Sequence, residues 1–167
     1  VGMITNSGDS VLADHLIMIL SEHYLKKKKG AIIFDVKCSS QLPILIENFG
    51  GTAIMEKTGH FNIKKAIKKY NAILGGEMSG HIFINHDWYG FDDAIYTAVM
   101  LAKVISDTGQ PASSVIEQFP KTFTTPELNL DVDDVSKFKM VEKFKEQMKF
   151  PDAEFNTIVG VRVSMGN

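Results

Sequence analysis

The run AIIFDV at residues 31–36 is the stretch that decides the fold. A short, continuous apolar run of this kind is typical of a strand buried on both faces of a parallel sheet. Polar residues 37–40 follow it, and a helical stretch then extends to residue 49, with Pro43 in its first turn. The pattern predicts a buried strand, a loop and a covering helix.

Strands and helices alternate on both sides of this run. Asp9 or Ser10 is available to cap the first helix, and Gly30 to end it. The alternation predicts an α/β fold, with a mostly parallel sheet and helices on both faces. The other elements of this domain are predicted at residues 12–24 (helix), 52–56 (strand), 62–70 (lysine-rich helix), 72–74 (strand), 81–85 (strand) and 92–105 (helix beginning at an Asp-Asp cap).

The character of the chain changes after Gly109. A short helix at 111–119 is followed by Pro120, which marks a boundary, and the remaining segments predict the beginning of a small α+β domain. Because the chain begins with Val1 instead of Met and ends just after a predicted strand, we expect both ends to be cut. The segments of this second domain are predicted as extended at 122–132, helical at 134–148 and a strand at 157–163.

Composition excludes several classes of protein. The 167 residues are 44% apolar and 23% charged with a net charge of −2, as in an ordinary globular protein without a bulk charge that would attract nucleic acid or an anionic membrane. The only cysteine, Cys38, is expected to be a small buried side chain and fits a reducing compartment, so we expect a cytoplasmic location. No apolar run is long enough to span a bilayer, and no signal peptide is evident at the start.

Ligands of parallel sheets bind outside the carboxyl ends of the strands, which directs attention to the loops at 37–40, 57–60 and 75–81. The last of these, GGEMSGH, has three glycines that allow a tight turn and close approach to a ligand. Glu77 and Ser79 project from it and can together hold neighbouring sugar hydroxyls. The alternative is a glycine-rich turn whose polar side chains bind no ligand.

Other catalytic motifs fail on spacing. Ser79 lacks the glycine two residues before it that a nucleophile elbow requires, so a serine hydrolase using Ser79 with His60 or His81 is disfavoured. Neither the dinucleotide-binding glycine pattern nor a P-loop is present. The acidic residues near His86 are interpreted as a helix cap in preference to a metal site. No metal ligands are therefore assigned in this chain.

Four motifs in this order and spacing resemble the third domain of the α-D-phosphohexomutases, in the phosphomannomutase/phosphoglucomutase branch. The motifs are DVKCS at 35–39, TGH at 58–60, GEMSGH at 76–81 and WYGFDD at 88–93. The resemblance implies the end of domain 2 at residues 1–9, a sugar-binding domain 3 at 10–119 and a partial domain 4 at 120–167.

The resemblance further implies an intramolecular phosphotransferase that interconverts hexose 1-phosphate and hexose 6-phosphate, with mannose or glucose as the sugar. Such enzymes use a phosphoserine, Mg²⁺ and a bisphosphate intermediate, with a glucose 1,6-bisphosphate-type activator. Glu77 and Ser79 match residues that hold the 3- and 4-hydroxyls of the sugar, and His81 matches a further substrate-binding residue of that loop. Lys37 and His60 match catalytic residues near the reacting phosphate and hydroxyl.

This chain has neither the phosphoserine loop nor the metal loop of the family. Phosphoryl transfer depends on positioning and charge neutralisation, so the chain alone is expected to be inactive as a mutase. In the full enzyme its partners would be domains 1 and 2 and the rest of domain 4. The alternatives are a non-catalytic sugar-phosphate-binding module and an inactive remnant of a split gene.

Overall fold

The computed structural model describes residues 1–121 and 125–165, which fall into two compact units, Val1–Lys121 and Thr122–Asn167. The strands and helices of the first unit follow one another in this order: β1 Met3–Ile4, β2 Ser10–Val11, α1 Ala13–Lys27, β3 Ala31–Asp35, α2 Gln41–Asn48, β4 Thr52–Glu56, α3 His60–Tyr70, β5 Leu74–Gly76, β6 Ile82–Ile84, α4 Ala94–Thr108 and α5 Ala112–Glu117.

The central sheet has the strand order β4-β3-β5-β6. Strand β3 is parallel to both β4 and β5, whereas β5 and β6 form an antiparallel hairpin. The predicted mostly parallel sheet, nucleated by the run at 31–36, is therefore confirmed.

Alternate residues of β3 face opposite sides of the sheet, as the period of a strand requires. Ile32 and Phe34 lie in the larger core cluster, which also holds the buried apolar residues of α1, α2 and α4. Ile33 lies in a separate cluster with Ile63 and Ile67 of α3. The sheet is thus covered on both faces, by several helices on one side and by α3 on the other.

Gly75 and Gly76 belong to strand β5, so the prediction that both lie in a loop was wrong. A Cβ at Gly75 would lie 2.8 Å from both Ile63 Cγ2 and Ile67 Cδ1, and a Cβ at Gly76 would lie 2.5 Å from Ile17 Cδ1. Helices from both faces approach the strand so closely that only glycine fits at these two positions. The strand begins two residues later than predicted.

The start of α1 also differs from the prediction. Its N-cap is Leu12, without a side-chain cap, because residues 3–11 form the β1-β2 hairpin. Within that hairpin, Asp9 donates its N–H to Thr5 Oγ1 at 3.2 Å, and its carbonyl accepts from Thr5 N–H at 2.9 Å. Neither Asp9 nor Ser10 caps the helix, and the helix ends at Lys27 before Gly30.

The second unit contains α6, Ser136–Gln147, as predicted, followed by an antiparallel hairpin of β7, Ala153–Asn156, and β8, Arg162–Met165. The prediction of one strand at 157–163 was wrong, since Gly160 adopts φ +59° between two shorter strands. Residues 125–132 form no strand, and the predicted extension at 122–124 lies outside the described residues. In neither described range does a helix combine the length and apolarity that a membrane span requires.

The predicted acidic cap of α4 is Asp93, whose Oδ1 accepts from Tyr96 N–H at 2.9 Å. This bond holds the pKa of the Asp93 carboxyl below its ordinary value of 3.8. The cap therefore stabilises the fold above that pH, and the contribution is lost as the pH falls through the lowered folded-state pKa. Asp93→Asn keeps a capping oxygen, so we expect it to reduce the loss of stability on acidification.

Urea unfolding at about pH 6 and about pH 3 measures this effect. The stability difference between the two pH values should be smaller in Asp93→Asn than in the unaltered protein. Equal differences in the two proteins would show that the cap carries no pH dependence.

Candidate functional site

Three loops meet at one edge of the sheet because β3, β4 and β5 run parallel. Lys37 is an exposed residue of the turn after β3, and His60 is the exposed first residue of α3, directly after the β4 loop. Glu77, Ser79 and His81 lie in the hairpin loop between β5 and β6. The edge to which the sequence pointed therefore carries all five predicted site residues.

Glu77 is buried, with only 1% of its surface exposed. Its Oε1 accepts a hydrogen bond from the N–H of Gly59, which has φ +121° and precedes α3. A buried carboxylate needs such donors, because water no longer solvates its charge. The bond orients the carboxylate and joins the hairpin loop to the β4 loop.

The hairpin loop is a tight turn closed by its own backbone. Gly80 N–H donates to the Glu77 carbonyl at 3.0 Å, and Glu77 N–H donates to the His81 carbonyl at 2.9 Å. Gly80 has φ +90°, and a Cβ there would lie 2.6 Å from the carbonyl oxygen of Val1. This turn leaves Ser79 exposed.

His81 forms a side-chain contact with Asp92 that the sequence analysis missed. Its Nδ1 lies 2.5 Å from Oδ2 of Asp92, and half of the His81 side chain is exposed. An isolated antiparallel bridge pairs Phe83 with Asp92 and so brings Asp92 close to His81. A carboxylate at Nδ1 selects the tautomer with the proton on that nitrogen, which leaves Nε2 for a ligand.

Asp35 is a second residue that sequence reasoning missed as a site component. The carboxylate is fully buried at the end of β3. Its Oδ1 accepts from Cys38 Sγ and from Met78 N–H, both at 3.1 Å, and its Oδ2 accepts from Thr58 Oγ1 at 2.9 Å. In the sequence, the signal that could have identified Asp35 is an acidic residue at the end of an otherwise apolar strand.

Cys38 is buried, as predicted. Burial and, to a lesser extent, the neighbouring Asp35 carboxylate raise the pKa of its thiol far above the ordinary value. The thiol therefore stays protonated and serves as a hydrogen-bond donor, not as a nucleophile.

The segment at 86–93 is held against helices α1 and α4 by hydrogen bonds and ring stacking. Asp87 Oδ1 accepts from the hydroxyls of Tyr24 at 3.1 Å and Tyr96 at 3.2 Å, while Trp88 stacks on Tyr96 with centroids 4.2 Å apart. Trp88 Nε1 also donates to Asp93 Oδ2 at 3.0 Å. Over the two described ranges, no three histidine, cysteine, aspartate or glutamate side chains are grouped so that they could hold a metal ion.

Comparison with known proteins supplies the family context. Residues 13–123 match the family model described as phosphoglucomutase/phosphomannomutase, alpha/beta/alpha domain III. A phosphomannomutase/phosphoglucomutase of Pseudomonas putida is 46% identical over 168 residues, covering 100% of this chain and 36% of the relative. A phosphoglucomutase of Neisseria gonorrhoeae is 39% identical, covering 98% of this chain and 36% of the relative.

A solved structure shows the same architecture. The crystal structure of a phosphoglucomutase/phosphomannomutase family protein from Burkholderia thailandensis matches with a TM-score of 0.90 and 36% sequence identity. The match covers 98% of this chain and 35% of that one. The chain thus spans about a third of the length of the proteins it matches.

Proposed function

Since the chain belongs to the phosphoglucomutase/phosphomannomutase family, we propose that it is the sugar-recognising part of a phosphohexomutase, an enzyme that interconverts hexose 1-phosphate and hexose 6-phosphate. The observation that carries the proposal is the hairpin loop at the carboxyl edge of the sheet. There the buried carboxylate of Glu77 lies beside the exposed Ser79. Ligands of open α/β sheets bind at this edge.

In this proposal, Glu77 and Ser79 recognise the sugar. One oxygen of Glu77 is held by Gly59 N–H, so the carboxylate is already oriented when a sugar hydroxyl donates to it. Ser79 has no intramolecular side-chain hydrogen bond among the described residues, and its hydroxyl can bind the adjacent hydroxyl of the hexose. His81, oriented by Asp92, adds a ring nitrogen at the rim of the same loop.

Lys37 and His60 serve the transfer step. The Lys37 ammonium offsets negative charge on the phosphate, and the His60 imidazole takes up the proton of the attacking sugar hydroxyl. In the transfer, the phosphorus–oxygen bond to the donor breaks as the bond to the sugar oxygen forms. Both side chains are exposed at the carboxyl edge of the sheet, which supports these roles.

The described residues do not fit a metal site, since they include no suitable cluster of ligands. The proposal therefore assigns the Mg²⁺ site and the phosphoserine to parts of the longer enzyme outside this chain, and routes no step of this chain through them. A bisphosphorylated hexose as activator and a cytoplasmic location belong to the same proposal. Mannose and glucose phosphates are its candidate substrates.

Ser79→Ala tests the sugar-recognition role in the native polypeptide that carries this sequence. We expect roughly a fivefold rise in Kd for glucose 1-phosphate or mannose 1-phosphate, because one neutral hydrogen bond contributes about 1 kcal/mol. The thermal midpoint should not change, since the exposed hydroxyl makes no hydrogen bond with the described part of the chain. Isothermal titration calorimetry and a thermal melt measure the two quantities.

Ser106→Ala is the matched control, because Ser106 is an exposed serine of α4. Equal affinities for Ser79→Ala and Ser106→Ala would contradict the role of Ser79. Binding of hexose phosphate without any mutase turnover by the native polypeptide would indicate a non-catalytic binding module.

A further inference from the structure

The carboxylate of Asp35 is buried at the point where the three loops of the candidate site begin. None of its surface is exposed, and its recorded partners are a thiol, a hydroxyl and a backbone N–H, with no cation among them. A buried carboxylate is stable only when several hydrogen-bond donors point at it. The positions of those donors therefore depend on one another. Asp35 therefore constrains the groups that bind it.

Each donor belongs to a different loop. Cys38 lies in the loop after β3, Thr58 in the loop after β4, and Met78 in the hairpin loop after β5. The donors are also immediate neighbours of the proposed site residues in the chain. Cys38 follows Lys37, Thr58 precedes His60 by two residues, and Met78 separates Glu77 from Ser79.

Regular sheet pairing does not extend through these loops. The recorded pairing of β3 with β4 ends at Asp35 and Glu56, and that of β3 with β5 ends at Phe34 and Gly76. Just beyond these pairs, Val36 N–H donates to the Glu56 carbonyl at 3.1 Å, and the loops are then linked further by side-chain contacts. Asp35 provides three of them, and Glu77 provides a further one through Gly59.

We propose that Asp35 is a positioning residue, which sets the relative placement of the loops carrying Lys37, His60 and Ser79 and thereby the affinity for hexose phosphate. The inference rests on the proposed function for its effect on ligand binding. Its structural part, the coupling of the loops, does not depend on the identity of the ligand.

Thr58→Val in the native polypeptide tests this proposal with the least risk that the variant fails to fold. Valine has nearly the shape of threonine, Thr58 is exposed, and its carbonyl remains able to accept from Asn62 Nδ2. The substitution removes one donor to Asp35. Thr52→Val, at an exposed threonine that begins β4, is the matched control.

We expect Thr58→Val to weaken binding of glucose 1-phosphate and mannose 1-phosphate roughly tenfold, because a hydrogen bond to a charged group is stronger than a neutral one. In the ligand-free protein, the amide signals of Lys37 and Ser79 should also shift, although both residues are far from Thr58 in sequence. Thr52→Val should change neither quantity.

Asp35→Asn provides a second variant. The amide keeps one acceptor oxygen for Met78 N–H, but presents a nitrogen to one of the remaining donors. We expect a weaker affinity and displaced amide signals at Lys37 and Ser79 here as well. A role in stability alone would lower the thermal midpoint of both variants while leaving affinity and those signals unchanged, and this result would overturn the proposal.

If the proposed function is wrong, the experiments give a different set of results from those that would overturn the role of Asp35. If the unaltered polypeptide binds neither hexose phosphate, the sugar-recognition role is wrong. The amide signals of the ligand-free variants still decide the role of Asp35: displacement at Lys37 and Ser79 supports it, and unchanged signals refute it.

Discussion

Replacement of Glu77 by alanine in the native polypeptide is expected to weaken hexose phosphate binding roughly a hundredfold, since hydrogen bonds to a charged group contribute about 1.5–3 kcal/mol. The carboxylate is buried, and it is oriented by Gly59 N–H before any ligand arrives. Alanine removes both the acceptor for the sugar and the link between two loops. Calorimetric titration with glucose 1-phosphate and mannose 1-phosphate measures the loss.

Glu77→Gln separates the two contributions of this side chain. The amide oxygen can still accept from Gly59 N–H, so the loop link is retained, but the acceptor for the sugar is no longer charged. We expect roughly a tenfold loss of affinity, because charge-assisted hydrogen bonds are about twice as strong as neutral ones.

Glu117→Ala, at an exposed position of α5, is the matched control and should bind as the unaltered protein does. An affinity of Glu77→Ala within twofold of that of Glu117→Ala would remove Glu77 from the recognition site.

Gly76→Ala should destabilise the fold by about 1–3 kcal/mol, the usual cost of overpacking a core. The new Cβ would lie 2.5 Å from Cδ1 and 2.6 Å from Cγ1 of Ile17. Ile17 is fully buried in α1, and the close packing of a protein core opposes a shift of its side chain. Because Gly76 directly precedes Glu77, the same displacement should also weaken sugar binding. Urea unfolding measures the stability change.

Two variants make this prediction specific. Gly2→Ala is the control, since a Cβ at Gly2 meets no atom within 4 Å. Ile17→Ala removes both clashing carbons, Cδ1 and Cγ1, so the double variant Gly76→Ala/Ile17→Ala should be more stable than the sum of the single effects predicts. Strictly additive effects would mean that the contact with Ile17 is not the source of the strain.

The sequence determined the architecture of the first unit. The apolar run at 31–36 and the alternation of elements around it predict the parallel sheet, and the covering helices follow from their 3.6-residue periodicity. These signals are local, because each depends on residues close together in the chain. The carboxyl edge could be identified in the same way, since the ends of parallel strands necessarily meet there.

The candidate site could be predicted only as a set of residues. The motifs around Lys37, His60 and Glu77 carry the resemblance to the family, and the structure brings their loops to one edge. Their hydrogen-bond partners could not be predicted, because no local pattern indicates which donor meets which acceptor. The β1-β2 hairpin escaped prediction for a related reason: two-residue strands are too short for a periodic signal.

What only the tertiary structure decided is how those residues are held. Asp35 receives donors 23 and 43 residues away in the chain, and His81 meets Asp92 across an antiparallel bridge. Gly75 and Gly76 resemble a flexible loop in sequence, but they form a strand, and isoleucines from helices on both faces occupy the space where larger side chains would lie. Apolar periodicity determines which elements form, whereas the contacts between them depend on sheet register and packing distance, which exist only in the folded chain.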